Sequence, residues 1–207
     1  MSFYQRILGH PFVYNKIRPL VVGIDMSPVY KKLEVSADDI LVDVGCGTGD
    51  ALNYLTGFRA YHGFDTDGTA IAFARERART QANVHFSDGL LSQDDLAHIK
   101  PTRLLMYGLL HHLSDDDAVG LLKMCGATPS IKRIVTQDVV FLSGEFINNV
   151  LAKLDRGRHV RMLDGYRQLV QRSGLRLVNE EVVQSHPSRG LAKYLVMTLE
   201  RGRDQSA

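Results

Sequence analysis

The stretch richest in chemistry is ILVDVGCGTGDALNYL, residues 40–55. A short apolar run stops at Gly45, and Gly47 and Gly49 follow around Cys46 and Thr48. This pattern predicts a strand, a sharp glycine-rich turn and then a helix. A backbone passing close to a ligand favours glycine, and a helix N-terminus presents free N–H groups. Asp43 lies two residues before the first glycine. A carboxylate there repels a pyrophosphate but accepts hydrogen bonds from an ammonium group, which argues against a dinucleotide. Asp65, in YHGFDTD, follows Gly45 by 20 residues. That spacing suits an acceptor for the hydroxyls of a ribose. Asp88, in VHFSDGL, follows a third strand pattern and is placed to accept from an adenine amino group. Singly, Asp65 and Asp88 read equally well as loop or N-cap aspartates. Three acids after three successive strand patterns, with the glycine turn at the first, favour a ligand. His111 and His112 follow a fourth strand pattern, and imidazole suits a general base near neutral pH. The competing reading is that one of the pair only packs.

The elements that must position these residues are short apolar runs alternating with helical patterns. Strands are predicted at Ile40–Val44, Ala60–Phe64, Val84–Ser87, Arg103–Tyr107 and Ile131–Val140. Such runs suit parallel strands buried on both faces. Helices are predicted at Thr69–Gln81, Ser114–Cys125 and Leu163–Ser173. Ser114 with Asp117 forms a start like a capping box, and Gly174 suits a left-handed C-terminal stop. Leu175–Val183 and Lys193–Leu199 read as two strands around a Pro187/Gly190 loop, close enough for an antiparallel pair. The alternation argues an open α/β sheet with helices on both faces. Gly144–Leu163 exceeds a bare connection and is expected to form a helix and loop over the substrate. Lys153, Arg156, Arg158, His159 and Arg161 cluster there, read either as facing an anionic substrate or as solvated cations at a helix end.

The chain has 207 residues, 44% hydrophobic and 23% charged, with a net charge of +2. The length suits one domain at about 150 residues each, and the balanced charge gives no whole-molecule field for nucleic acid. Cys46 and Cys125 lie in settings unlike a disulfide or a CxxC metal site, so a reducing compartment is expected. No stretch approaches a membrane span, and the N-terminus lacks the apolar core of a signal peptide. The expectation is a cytoplasmic protein. Residues 201–207 read as a solvated tail.

Taken together, DVGCGTG, GFD, SDG and LLHHLSD resemble the class I S-adenosylmethionine-dependent methyltransferases, over most of the chain from the first strand onward. The resemblance implies S-adenosyl-L-methionine as cofactor. It also implies a doubly wound seven-stranded sheet of order 3-2-1-4-5-7-6, with strand 7 antiparallel. Gly45, Cys46, Gly47, Thr48 and Gly49 would wrap the methionine part, with Asp43 beneath it. Asp65 and Thr66 would hold the ribose, while Asp88, Gly89 and Leu90 border the adenine. Gly108 and Leu109 would face the sulfonium. In this family an N-terminal helical stretch often covers the cofactor, here with Tyr4, Tyr14 and Arg18. Arg18 would pair with the methionine carboxylate and Tyr14 would stack on or bond the ligand, unless both belong to a solvated helix face. One domain is expected over 1–207, with a cap at 1–38, a cofactor-binding core at 39–140, a substrate-covering insertion at 141–165, and a C-terminal helix and hairpin at 166–200.

Several chemistries are excluded by absent motifs. No [DNS]-P-P-[YFW] tetrapeptide, usual in enzymes that methylate nucleobase amino groups, follows the fourth strand, and no Pro-Cys nucleophile is present. Asp138 is followed by Val139 rather than Asn, and histidines stand where a catechol-type enzyme has acids, so no catalytic metal is expected. The leading expectation is methyl transfer to a small, lipid-like or aromatic acceptor, by in-line displacement, with one of the two histidines as base. No nucleic acid partner and no membrane span are expected, while contact with a lipid surface and the oligomeric state stay open. The alternatives are an RNA- or protein-modifying methyltransferase using the 153–161 cations, and a cofactor-binding protein without transfer activity. A nicotinamide enzyme fits less well, because the third glycine comes one residue early.

Overall fold

The computed structural model describes residues 27–155, 157–185 and 191–202. Strands β1 (Ile40–Val44), β2 (Ala60–Asp65), β3 (Val84–Asp88), β4 (Arg103–Tyr107) and β5 (Arg133–Phe141) run parallel. Strand β6 (Arg161–Met162) pairs only with the end of β5. The chain ends with β7 (Leu175–Gln184) and β8 (Lys193–Arg201), and β8 inserts antiparallel between β5 and β7. The order is β3-β2-β1-β4-β5-β8-β7. This is the expected seven-strand path with its last two members renumbered by the short β6. The chain reverses its direction of travel across the sheet between β1 and β4, the switch point at which open α/β sheets form their binding crevice.

The strands alternate their side chains between two apolar layers. Val42, Leu104, Met106, Ile134, Leu195 and Met197 enter one layer; Leu41, Leu105, Val135 and Val196 enter the other. The first layer is closed by Leu96 of helix α3 (Gln93–Ile99), by Ala118, Leu122 and Cys125 of α4 (Asp115–Gly126), and by Leu169 and Val170 of α6 (Leu163–Ser173). The second is closed by Val29 and Tyr30 of α1 (Ser27–Lys31) and by Ile71 and Ala74 of α2 (Gly68–Arg77). Helices therefore cover both faces. Helix α5 (Phe146–Leu154) lies against the end of β5 and β8 through Ala152, beside Val139 and Tyr194.

Local chemistry sets the element ends. Ser114 accepts from the Asp117 amide at 3.2 Å, and Gly174 ends α6 at φ 78°. Helix α2 starts on Asp67, which accepts from the amides of Thr69 and Ala70, and stops at Arg77 rather than Gln81. A turn bond from the Gln81 amide to the Ala78 carbonyl replaces the last helical turn. Helix α3 has a reciprocal Ser92/Asp95 capping box but buries only Leu96, so no apolar periodicity announced it. After the glycine turn the chain makes only a four-residue 3₁₀ turn, Asp50–Asn53, not the expected helix. Gly49 before it has no side chain to cap a helix, and Ala51 is the one buried residue of the turn. Strand β8 extends to Arg201, two residues past the expected end.

Candidate active site

The sheet brings the predicted residues to one edge. Asp88 and Asp65 are register partners at the ends of β3 and β2. The glycine turn follows β1, Gly108–His112 follows β4, and Asp138 lies on β5. Gly45, Gly47 and Gly49 all have positive φ. Gly49 shows why no side chain is tolerated: its φ is +74°, and a Cβ there would stand 2.8 Å from Phe86. The Cys46 thiol is buried against this turn, its pKa raised by burial and by the charges of Asp43 and Asp65. The Thr48 hydroxyl is spent on Asp50 at 3.2 Å.

Asp43 is 2% exposed. Its Oδ2 accepts from the Tyr61 hydroxyl, while its Oδ1 is buried with no hydrogen-bond partner among the described residues. Burial pushes its carboxyl up to about 7, against the Tyr61 bond, and the charge of Asp65 adds to the rise. A buried, unpartnered carboxylate oxygen beneath a glycine turn is fitted to a cationic donor. Asp65 Oδ2 accepts from the Gly47 amide at 2.8 Å, and Oδ1 from the Asp67 amide at 2.9 Å. These bonds fix the turn to the end of β2. Each oxygen keeps a second lone pair for a hydroxyl donor. Thr66, Asp88 and Leu90 are exposed, with Leu90 at 83% an apolar surface beside Asp88. The Gly89 amide donates to the Asp65 carbonyl at 2.8 Å, which draws the β3 loop to the β2 loop. Gly108 is fixed by the Gln137 carbonyl at 2.7 Å, and Leu109 packs 3.1 Å from where a Gly45 Cβ would be. Tyr4, Tyr14 and Arg18 lie outside the described residues.

The two histidines differ sharply. His111 is 3% exposed and both ring nitrogens are engaged. Nδ1 meets Asp138 at 2.8 Å and Nε2 meets Asp155 at 3.1 Å. Burial alone would lower its pKa. The hydrogen bonds and charges of Asp138 and Asp155 outweigh burial and push it up to about 9. His112 is exposed, its ring 4.3 Å from that of His111. His111, His112 and Asp155 place ligand-type atoms within 4.8 Å of one another, but carboxylates on both nitrogens of His111 favour a proton there.

The segment after α5 straps this turn down. The His159 amide donates to the His111 carbonyl at 2.9 Å, and the Gly157 amide to Asp155 at 2.9 Å. Arg161 is spent entirely on structure: it donates to the carbonyls of Leu110, Leu113 and His159 and bridges Asp115 at 2.7 Å. Of the expected basic cluster, Arg161 is therefore a clamp, and Arg156 lies outside the described residues. A Cβ on Gly157 would stand 2.2 Å from the His111 ring and 2.8 Å from its backbone oxygen. Gly157→Ala is expected to destabilise the protein by about 1–3 kcal/mol, read as a lowered denaturant midpoint with an unchanged slope.

Three features escaped the sequence. Asp138 and Asp155, the partners of His111, carried no role; the signal was a lone carboxylate inside the apolar run VTQDVV. A column of stacked rings also stands on the α1 side of β4. Tyr107 stacks on Tyr30 at 5.9 Å and Tyr30 on Tyr54 at 4.8 Å, and no spacing rule joins residues so far apart.

Comparisons with known proteins agree with this geometry. Residues 41–128 match the family model described as a methyltransferase domain. No curated protein sequence matches the chain. Among solved structures, the pyocyanin biosynthetic protein PhzM superposes with a TM-score of 0.71 at 17% identity, over 98% of this chain and 62% of its own. Human N-acetylserotonin methyltransferase, solved with S-adenosylmethionine, gives 0.66 at 15%, over 98% and 59%. A methyltransferase from Methanosarcina mazei gives 0.64 at 15%, over 87% and 100%. At these identities the likeness is one of fold. With a core matched to the methyltransferase domain over residues 41–128, this strand order and a glycine turn fitted to a cationic ligand, the chain has the fold of the class I S-adenosylmethionine-dependent methyltransferases.

Proposed function

We propose that the protein transfers the cofactor's methyl group to a small-molecule acceptor. The observation that carries this reading is the strap: Asp155 and residues 157–161 are tied to the turn after β4, through Asp155, His159 and Arg161. A segment of the same chain fixed beside the histidine turn suits a compact acceptor rather than a long polymer. Among the described residues, Arg77 is paired with Asp50 and Arg133 with Glu34, which takes both out of any track for phosphates. Two structural neighbours point the same way, a pyocyanin biosynthetic protein and an N-acetylserotonin methyltransferase.

Bound cofactor supplies an electrophilic methyl on a sulfonium, so the chain's task is to hold, orient and exclude water. Asp43 Oδ1 would receive the ammonium, and the turn from Gly45 to Gly49 would wrap the amino-acid end. Asp65 accepts from the ribose hydroxyls, with Thr66 beside it. Asp88, Gly89 and Leu90 would border the adenine, while Gly108 and Leu109 would face the sulfonium. His111 is a positioning residue, because both its nitrogens are occupied. His112 is the base for an acceptor that arrives protonated. Incubating an extract with methyl-labelled cofactor and the protein is expected to label a low-mass fraction. Label confined to RNA or protein would overturn the small-molecule reading.

No helix among the described residues is long and apolar enough to cross a membrane.

A further inference from the structure

Helix α5 is mounted inside out. Its buried residues are Asn148 and Ala152. Its large apolar residues face solvent: Phe146 is 80% exposed, Ile147 57%, Val150 42% and Leu154 70%. Their spacing puts all four on one side of the helix. The orientation is fixed by hydrogen bonds rather than by apolar packing. The Asn148 side chain donates to the Val140 carbonyl and accepts from the Lys193 amide, both at 2.8 Å. Asn149 bonds both the amide and the carbonyl of Leu142, again at 2.8 Å. Turning the apolar face inward would break four buried or half-buried hydrogen bonds, so the exposure is built in. Contiguous apolar surface of this kind marks an interaction site.

Charge identifies the occupant. Lys153 on the rim of the face and Arg158 just beyond the helix have no ion-pair partner among the described residues. The nearby acids are already neutralised, Glu145 by Lys193 at 2.5 Å and Asp155 by His111. An exposed apolar helix face with unpaired cations beside it matches the chemistry of an anionic lipid surface, whose acyl region takes the apolar side chains and whose headgroups take the cations. We propose that α5 seats the protein on an anionic bilayer. The surface lies beside the strap, so a protein held there faces the lipid phase near its active-site mouth.

The test is co-sedimentation of the full chain with phosphatidylcholine vesicles, with and without phosphatidylglycerol. Wild type is expected to sediment with the anionic vesicles and largely to remain in solution with the neutral ones. The double variant Phe146→Ser, Leu154→Ser is expected to weaken binding about tenfold or more, and Lys153→Glu, Arg158→Glu to abolish the preference for anionic vesicles. Both variants should keep wild-type affinity for S-adenosylhomocysteine, which shows them folded. The proposal is overturned if wild type ignores anionic vesicles, if the serine variant binds them equally, or if wild type is a dimer in solution that the serine variant separates.

Discussion

Asp43→Asn is expected to weaken cofactor binding about 10–100-fold, the worth of one charge-assisted hydrogen bond of roughly 1.5–3 kcal/mol. The variant keeps the shape of the side chain and removes its charge. Without ligand, that charge is buried with Oδ1 unpartnered, so its loss should leave the unliganded protein as stable as wild type or more so. A purely structural role for Asp43 would give the opposite result, lower stability. The affinity also carries a pH signature. An ammonium selects the ionised carboxyl, and in the free protein burial holds that carboxyl at about 7. Affinity should therefore be flat above pH 7 and fall by up to about tenfold per unit below it. In Asp43→Asn that dependence should vanish. Titration calorimetry between pH 5.5 and 8 reads both effects.

His111→Ala is expected to cost about 3–5 kcal/mol, because it leaves two carboxylates beside an empty, buried space. For a chain of this length that lowers the thermal midpoint by about 10 °C. The imidazole's ordinary value is 6.5 and the folded one about 9. A raised value means that the contribution is complete below about pH 6.5, declines above it, and is gone past about 9. Wild-type stability should follow that course, and the His111 ring should titrate near 9 by nuclear magnetic resonance. A ring titrating at or below 6.5 would refute the clamp. His112→Ala supplies the contrast: unchanged stability, with single-turnover transfer to a protonated acceptor slower by about 10²-fold or more.

Legibility followed the physics of each element. Strands β1 and β4 begin and end where expected, because a central strand is a continuous apolar run and its ends are abrupt. Helix α6 likewise ends at its glycine. Helix α3 was invisible because one buried leucine makes no period, although its Ser92/Asp95 cap was there to be read. At the site, the acids and glycines of the cofactor edge stood out because they lie within a few residues of strand ends. The histidine clamp did not, because Asp138 and Asp155 are remote in sequence and only the sheet and the strap bring them to His111. Arg161 looked like part of a basic patch for the same reason. Its partners, the carbonyls of Leu110 and Leu113, are backbone groups with no signature in the sequence.

The central claim is that the first turn of the sheet grips the cationic amino-acid end of an adenosyl nucleoside. Calorimetric titration of the wild-type protein with S-adenosylhomocysteine and, separately, with NAD addresses it directly. One-to-one binding of the first and no heat from the second is the predicted result. Binding of NAD in place of S-adenosylhomocysteine, or of neither, would contradict it.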